Sequence, residues 1–279
     1  NYAKFSLLTS KTMLHWITGD IANAHQAMSR SRELTIPTPD TKGARSLVAY
    51  NNYLGQLLQE RSTHQNLYQQ VAEKPIFFVA ESHCLTPSEI PVLFADEYHR
   101  ILSSIIIGTK MFHLSQNEPN CYARSTEIIF NALPENGIVV SGFGEIDCRM
   151  NEGVLKAHKN QPTHFADAVP ALVNSYQEKI IGYSRPKNLN LLFYGVPAPS
   201  QEALSLCSEL DSQLLREIIK LVNECLRRNC ERLNLPFLDI YQMTVLEDLS
   251  GNPEYFLERH HIHPKYIPKL FESFLISKK

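Results

Sequence analysis

The sequence of 279 residues lacks an excess of charge of either sign. Its 27 Lys and Arg residues nearly balance its 29 Asp and Glu residues, which gives a formal net charge of -2 at pH 7. The two signs are mixed along the chain, without a basic stripe or an acidic block. Because nucleic-acid binding generally needs clustered positive charge, we expect no nucleic-acid partner.

Long apolar runs are also missing. A helix that crosses a bilayer needs about 20 consecutive, mostly apolar residues, and no segment reaches that length. The N-terminus shows no basic patch followed by an apolar core, as a secretory signal would. The sequence therefore predicts no membrane span. The chain begins with Asn1 rather than Met, which is compatible with a fragment of a longer protein.

Paired cysteine motifs are absent as well. The six cysteines contain no CxxC pair, and they are scattered at positions 84, 121, 148, 207, 225 and 230. In a chain of this length, such scatter favours free thiols over a disulfide framework. We therefore predict a reducing, cytoplasmic location. We also expect no metal and no other cofactor.

The N-terminal part of the chain, residues 1–73, shows a helical pattern. The stretch GDIANAHQAMSRSRELTIP, which ends at Pro37, resembles the second helix of a tetratricopeptide repeat. A second helical pattern covers residues 47–58, and a polar helix is expected through Val71. Two helix pairs cannot bury a solenoid core alone, so this segment is either the tail of a repeat array docked on the next domain or an unrelated helical extension. It could bind a protein partner.

From residue 74 to 279, apolar runs alternate with helical patterns. The predicted strands are residues 76–80, 104–107, 137–140, 189–194 and 236–240, nearly all continuous apolar runs, as in parallel strands that are covered on both faces. The predicted helices are residues 122–133, 165–183 and 201–233, the last one long and with a potential break. This alternation predicts an α/β domain, a three-layer sandwich around a five-stranded parallel sheet.

Several chemically interesting residues follow the predicted strands. Ser82 ends the run IFFVAES, Gly108 follows the second strand, and Gly144 follows the third. Near the C-terminus, ERHHIHP places three histidines just before a final amphipathic helix. Because ligands of open α/β sheets bind at the carboxyl edge of the strands, we expect these residues to gather there.

The order of these blocks resembles that of the SGNH (GDSL-like) hydrolase superfamily, whose sheet is flavodoxin-like. The resemblance covers the chain from about Pro75 onward. It implies that Ser82 is a nucleophile and that His263, which is followed by a proline and the last helix, removes its proton. It also implies that the backbone N–H groups of Ser82 and Gly108 stabilise the oxyanion.

The chain departs from the family pattern in the nucleophile motif, where Ala80 and Glu81 replace Gly and Asp, and at two positions of the catalytic groups. Where the family reads G-x-N-D, this chain has Gly144, Glu145, an isoleucine and Asp147, so the asparagine that donates to the oxyanion is missing. Three residues before His263, the family has an aspartate that orients the histidine, and this chain has His260. Glu258 or Asp147 could replace that carboxylate.

The resemblance implies a serine-dependent ester hydrolase or acyl (acetyl) esterase or transferase acting on a small or carbohydrate O-acyl ester. The two departures motivate an alternative, a catalytically degenerate SGNH fold that serves as a binding or scaffold module. A zinc site built from the terminal histidines, with Asp147 or Cys148, is a further alternative. Glu145, Asp147 and Arg149 could instead form an internal ion pair that fixes their loop.

Overall fold

The computed structural model describes residues 1–36, 38, 41–160 and 165–276, with side chains up to residue 272. Its sheet has six strands. The strands are β1 (Lys74–Ala80), β2 (Pro91–Phe94), β3 (Glu97–Ile105), β4 (Ile138–Gly142), β5 (Asn190–Tyr194) and β6 (Phe237–Leu238). Their order across the sheet is β2-β3-β1-β4-β5-β6.

Five of these strands are parallel, as the sequence predicts. β1 lies in the middle and pairs in parallel with β3 and β4, and β5 and β6 continue the sheet. The sixth strand, β2, pairs antiparallel with β3 at one edge. The prediction missed β2 and most of β3, because the apolar run of residues 105–107 lies at and beyond the end of β3, whose own sequence mixes polar and apolar residues.

Eleven α-helices occur in the described ranges. They are α1 (Tyr2–Ile17), α2 (Ile21–Arg32), α3 (Lys42–Thr63), α4 (Met111–Ser115), α5 (Cys121–Ala132), α6 (Gly153–Asn160), α7 (Phe165–Ser184), α8 (Gln201–Ser205), α9 (Glu209–Leu233), α10 (Ile240–Thr244) and α11 (Ile267–Ile276). The long helical pattern over residues 201–233 is indeed broken, since α8 and α9 are separate helices and Ser208 caps the second.

The sheet is covered on both faces, which makes the predicted three layers. Val79 of β1 packs into an apolar cluster with residues of α7 and α9, such as Tyr176 and Ile218. Its neighbour Phe78 points to the other face, where it joins a cluster that contains Phe271 of α11. This alternation along β1 follows from the period of two in a strand.

The N-terminal helices form a third apolar cluster that includes Trp16 of α1 and Leu57 of α3. Leu85, in the loop after β1, belongs to the same cluster, and the indole N–H of Trp16 donates to the Leu85 carbonyl oxygen at 2.8 Å. The helical segment is therefore docked on the α/β part. The likeness of this segment to a tetratricopeptide repeat stays a prediction, and Pro37 lies outside the described residues.

The predicted polar helix through Val71 does not form. A single 3-10 turn, Gln65–Tyr68, follows α3, because the chain must then extend to enter β1. Within the described ranges, no helix combines the length and apolar character that a bilayer span requires. All six cysteines are free, as predicted.

Candidate active site

Ser82 lies just beyond the carboxyl end of the central strand. β1 ends at Ala80, which is aligned in register with Ile105 of β3 and Gly142 of β4. The loops after these three strands therefore leave from one edge of the sheet. Ser82 opens a 3-10 turn, Ser82–Cys84, and only 5% of its surface is exposed.

A histidine from the C-terminal loop contacts this serine. The Nε2 atom of His261 lies 2.8 Å from the Ser82 hydroxyl, and its Nδ1 atom is hydrogen-bonded to Oε1 of Glu258. The same carboxylate oxygen accepts the backbone N–H groups of His260 and His261, each at 3.0 Å. Serine, imidazole and carboxylate thus form one hydrogen-bonded chain.

The histidine at Ser82 is not the predicted one. His263 points elsewhere, with its Nε2 atom 2.9 Å from Oε2 of Glu60 in α3. The proline after His263 led to the wrong choice of histidine for the base. The spacing of three from Glu258 to His261 was the better signal, since it repeats the carboxylate-x-x-histidine spacing of the family pattern.

Charge and burial set the protonation of this chain. Burial lowers the pKa of His261 below its ordinary value, although Glu258 opposes the shift. Burial also disfavours the ionised form of Glu258, but the hydrogen bond and charge of His261 outweigh it and lower the pKa of Glu258 to about 2. Near pH 7 an ionised Glu258 therefore accepts the Nδ1–H of a neutral His261, whose Nε2 lone pair faces Ser82.

A second pair, Glu81 and His83, lies on the other side of the serine. His83 Nδ1 is 2.6 Å from Glu81 Oε1, and His83 Nε2 donates to the backbone carbonyl of His260 at 2.9 Å. Burial disfavours the charged ring, but Glu81 outweighs it and raises the pKa of His83 to about 9. His83 in turn lowers the pKa of Glu81 against the effect of burial, so this is a buried ion pair.

Two acceptors compete for the single proton of Ser82. Its hydroxyl oxygen is 2.8 Å from His261 Nε2 and 2.6 Å from Oε2 of Glu81. With Glu81 ionised and His261 neutral, both neighbours can only accept, and a hydroxyl donates one hydrogen. Ser82 therefore donates to one of them at a time. Because the pKa of Glu81 is lowered, donation to His261 is the arrangement that can pass the proton on.

The loop after β4 contacts the C-terminal loop that carries His260 and His261. Arg149 binds the Glu145 carboxylate through Nε and Nη2, at distances between 2.6 and 3.0 Å, and His260 Nδ1 lies 2.8 Å from the same carboxylate. The internal ion pair is therefore formed by Glu145, not Asp147. Gly144 adopts φ +134°, a backbone conformation that residues with a side chain rarely adopt, so the backbone at this position favours glycine.

Asp147 does not orient either histidine. Its carboxylate accepts the backbone N–H groups of Met111 and Phe112 at 2.8 and 3.1 Å, at the start of α4. Burial raises the pKa of Asp147 to about 6 despite these bonds. Gly108, with φ +76°, lines a cleft beside the Ser82 cavity rather than the cavity itself, and its part in an oxyanion site stays a prediction.

The rings of the terminal histidines diverge. His260 contacts Glu145, His261 contacts Ser82, and His263 contacts Glu60. Among the described residues, the ligand atoms that come close enough for one metal ion belong to Glu81, His83 and His261, within 4.8 Å of one another. The hydrogen bonds around Ser82 account for this proximity.

Ser82 faces a cavity of about 130 Å³. Its lining consists of Ser46, Ala49, Tyr50, Tyr53, Ser82, Ile146, Arg149, Glu258, His260 and His261. A larger cleft of about 600 Å³, between the N-terminal helices and the sheet edge, shares Tyr50, Ile146 and Arg149 with it. A small group bound at the serine can thus be joined to a larger one outside.

Helix α3 covers the His261 ring. The ring of Tyr53 stacks on it, with centroids 3.8 Å apart and planes inclined by 13°. The Tyr53 hydroxyl lies 2.5 Å from the hydroxyl of Thr86, which donates to the carbonyl oxygen of Ile262 at 3.2 Å. The sequence patterns did not indicate this role of α3, because nothing local shows which helix face docks on a distant loop.

No family model matches the sequence, and neither does any curated protein. Among solved structures, a GDSL-like lipase from Bacteroides thetaiotaomicron aligns with a TM-score of 0.43 and 13% sequence identity. The alignment covers 79% of this chain and 95% of the lipase chain. A lipase/acylhydrolase from Enterococcus faecalis has a TM-score of 0.42 and 13% identity, covering 74% and 95%. Phospholipase A1 from Streptomyces albidoflavus has a TM-score of 0.42 and 10% identity, covering 75% and 100%. At these values the likeness identifies neither a family nor an activity for this chain.

Proposed function

We propose that this protein is a serine-dependent ester hydrolase or acyl transferase of the SGNH type, with Ser82 as nucleophile, His261 as base and Glu258 as the carboxylate that orients it. The observation that carries the proposal is the hydrogen-bonded chain through these three side chains. A serine hydroxyl is a weak nucleophile unless a base within hydrogen-bond reach accepts its proton during attack.

The chemical steps follow from this arrangement. Ser82 Oγ attacks the ester carbonyl carbon, its proton moves to His261 Nε2, and the carbonyl π electrons move to the oxygen. When the tetrahedral intermediate collapses, the bond to the alcohol oxygen breaks and His261 returns the proton to that oxygen. Water, or a second alcohol, then attacks the acyl-serine with His261 again as base. Glu258 stabilises the imidazolium at each stage.

The two cavities support a small acyl group on a larger alcohol. An acetyl group fits the cavity of about 130 Å³ at Ser82, and the adjoining cleft of about 600 Å³ has room for a sugar. Polar side chains, among them Ser10, Lys42 and Lys110, line that cleft. We therefore propose an O-acetyl ester, with a carbohydrate as the alcohol.

The test measures hydrolysis of p-nitrophenyl acetate by wild type, Ser82→Ala and the control Ser29→Ala, whose serine is exposed on α2. Ser82→Ala should lose at least about 1000-fold in kcat, and Ser29→Ala should match wild type. Mass spectrometry after treatment with a fluorophosphonate should find the label on Ser82. Undiminished turnover by Ser82→Ala would refute the nucleophile. Hexanoyl esters should be poorer substrates than acetyl esters if the small cavity holds the acyl group.

Two observations favour the alternative, a degenerate module without activity. Ile146 occupies the position of the family's asparagine, and Glu81 accepts a hydrogen bond from the proposed nucleophile. If the fluorophosphonate leaves Ser82 unlabelled and no ester is cleaved, the degenerate module is the better description. Rapid labelling of Ser82 would exclude it.

A further inference from the structure

The proposed reaction needs a side-chain donor for the oxyanion that the sequence pattern does not provide. As the carbonyl becomes tetrahedral, its oxygen gains negative charge, and preorganised donors stabilise that charge in the transition state. Ile146, at the asparagine position, lines the Ser82 cavity with an apolar side chain. A side-chain donor that assists the backbone N–H groups would therefore have to come from another residue of the cavity.

Helix α3 presents a phenol to this cavity. Residues 46, 49, 50 and 53 follow helical spacing and line the cavity along one face of α3. Tyr50 and Ser82 line the same cavity, and the Ser82 hydroxyl and the charges of Glu81 and Arg149 all influence the pKa of the Tyr50 phenol. Tyr50 thus lines the cavity in which an ester carbonyl would lie when Ser82 attacks its carbon.

The Tyr50 phenol has a hydrogen that it can donate. Burial raises its pKa well above the ordinary value, so it keeps its proton at any assay pH. Apart from the Ser82 hydroxyl, the phenol has no hydrogen-bond partner within the described ranges. The hydroxyl of Tyr53, one turn further along α3, is by contrast bonded to Thr86.

Arg149 also lines the cavity, but its guanidinium already pairs with Glu145. Arg149 spends its Nε and Nη2 groups on Glu145, which also neutralises its charge. The charge of Arg149 favours the ionised phenol of Tyr50, but the charge of Glu81, which has the larger effect, opposes it. Tyr50 therefore remains a neutral donor beside Arg149.

Helix α3 is also held firmly enough for such a role. Tyr53 stacks on His261 and bonds to Thr86, and Trp16 of the neighbouring helix donates to the carbonyl of Leu85. These contacts fix α3 to the two loops that carry Ser82 and His261. A donor on this helix is therefore preorganised, which is the condition for strong stabilisation of an oxyanion.

We propose that the hydroxyl of Tyr50 donates a hydrogen bond to the oxyanion, in place of the absent asparagine amide, so that the N-terminal helical segment is part of the catalytic site. This inference rests on the proposed esterase function. It makes Tyr50 a catalytic residue, since its hydroxyl touches the reacting oxygen.

The experiment compares wild type, Tyr50→Phe and the matched control Tyr68→Phe in hydrolysis of p-nitrophenyl acetate. Tyr68 is outside both cavities at the serine, so its phenol can be removed without affecting the oxyanion. Tyr50→Phe should lower kcat about 100-fold, with KM within threefold of wild type and an unchanged melting temperature. Tyr68→Phe should match wild type in kcat.

Two further measurements separate an oxyanion donor from a packing residue. Sulfur is a poorer hydrogen-bond acceptor than oxygen, so wild type should cleave a thionoester much more slowly than the matching ester. The Tyr50→Phe substitution should therefore reduce the rate with the thionoester less than it reduces the rate with the ester. Ile146→Asn, which brings back an amide, should restore part of the activity of Tyr50→Phe.

The outcomes distinguish this inference from the proposed function. If Ser82→Ala is inactive but Tyr50→Phe keeps kcat within threefold of wild type, the inference is overturned and the esterase stands. If wild type neither cleaves esters nor is labelled at Ser82, both are overturned. A loss of kcat that comes with a lowered melting temperature and an unaltered thionoester ratio would show that Tyr50 only packs, and this also overturns the inference.

Discussion

Replacing Glu258 by Gln should change activity in two ways at once. The amide oxygen can still accept the Nδ1–H of His261 and the two backbone N–H groups that Glu258 accepts now, so the loop should keep its geometry. The negative charge is lost. Because that charge stabilises the imidazolium in the transition state, kcat should fall.

The size of the fall follows from Coulomb's law. Two unit charges about 4 Å apart attract each other by about 4 kcal/mol at an effective dielectric constant of about 20. The Glu258 side chain is 26% exposed, so solvent screens part of this attraction, and we expect a loss of about 2–3 kcal/mol. This corresponds to a fall in kcat of about 30- to 200-fold.

The pH dependence of kcat/KM should also shift in Glu258→Gln, and the lost charge determines the direction of the shift. His261 must be neutral to accept a proton, so kcat/KM rises as pH passes its pKa, which burial lowers from the ordinary value. Glu258 favours the imidazolium and raises that pKa. In Glu258→Gln the acid limb of kcat/KM should therefore lie at a lower pH than in wild type, although the plateau is lower.

The assay is the pH dependence of p-nitrophenyl acetate hydrolysis between about pH 4 and pH 8, a range in which the ordinary pKa of histidine falls. Glu254→Gln is the matched control, because Glu254 is exposed and bonds to Tyr266 rather than to His261. A plateau within threefold of wild type, or an acid limb displaced to higher pH, would refute the role assigned to Glu258.

Two more predictions follow from the histidines. His261→Ala should lose at least about 1000-fold in kcat, whereas His263→Ala, which removes a contact with Glu60, should stay within fivefold of wild type in the same assay; equal losses would contradict this assignment. The pKa of His83 is raised to about 9, so its pairing with Glu81 stabilises the fold fully below pH 6.5 and progressively less as pH rises through 9. Urea denaturation from pH 6.5 to 9.5 should show a larger loss of unfolding free energy in wild type than in His83→Gln, and parallel curves would disprove it.

Much of the fold could be predicted because parallel strands are buried on both faces. Residues such as Phe78 and Val79 in β1 are apolar in succession, and this signal needs no knowledge of distant contacts. The start of β3 escaped prediction, since polar and charged residues such as Glu97 and Arg100 interrupt its apolar pattern. β2 is apolar but has only four residues and begins with a proline.

Ser82 could be located from sequence for the same reason, because it directly follows a buried strand. The choice of His263 was wrong, because which histidine reaches Ser82 depends on how the loop turns. An antiparallel bridge between Phe256 and Ile262 shapes that turn. Tyr50 was out of reach of local patterns, because its position depends on how α3 docks on two loops far away in the chain.

The stacking of Tyr53 on His261 has a consequence for heat inactivation. The imidazole of His261 is covered on one face by Tyr53 of α3. The sheet that carries Ser82 is held by separate apolar clusters on its two faces. Local unfolding that separates α3 from the loops would expose the His261 imidazole to solvent while the strands stay paired. Turnover should then vanish some degrees before the bulk of the molecule melts, and cooling should bring it back.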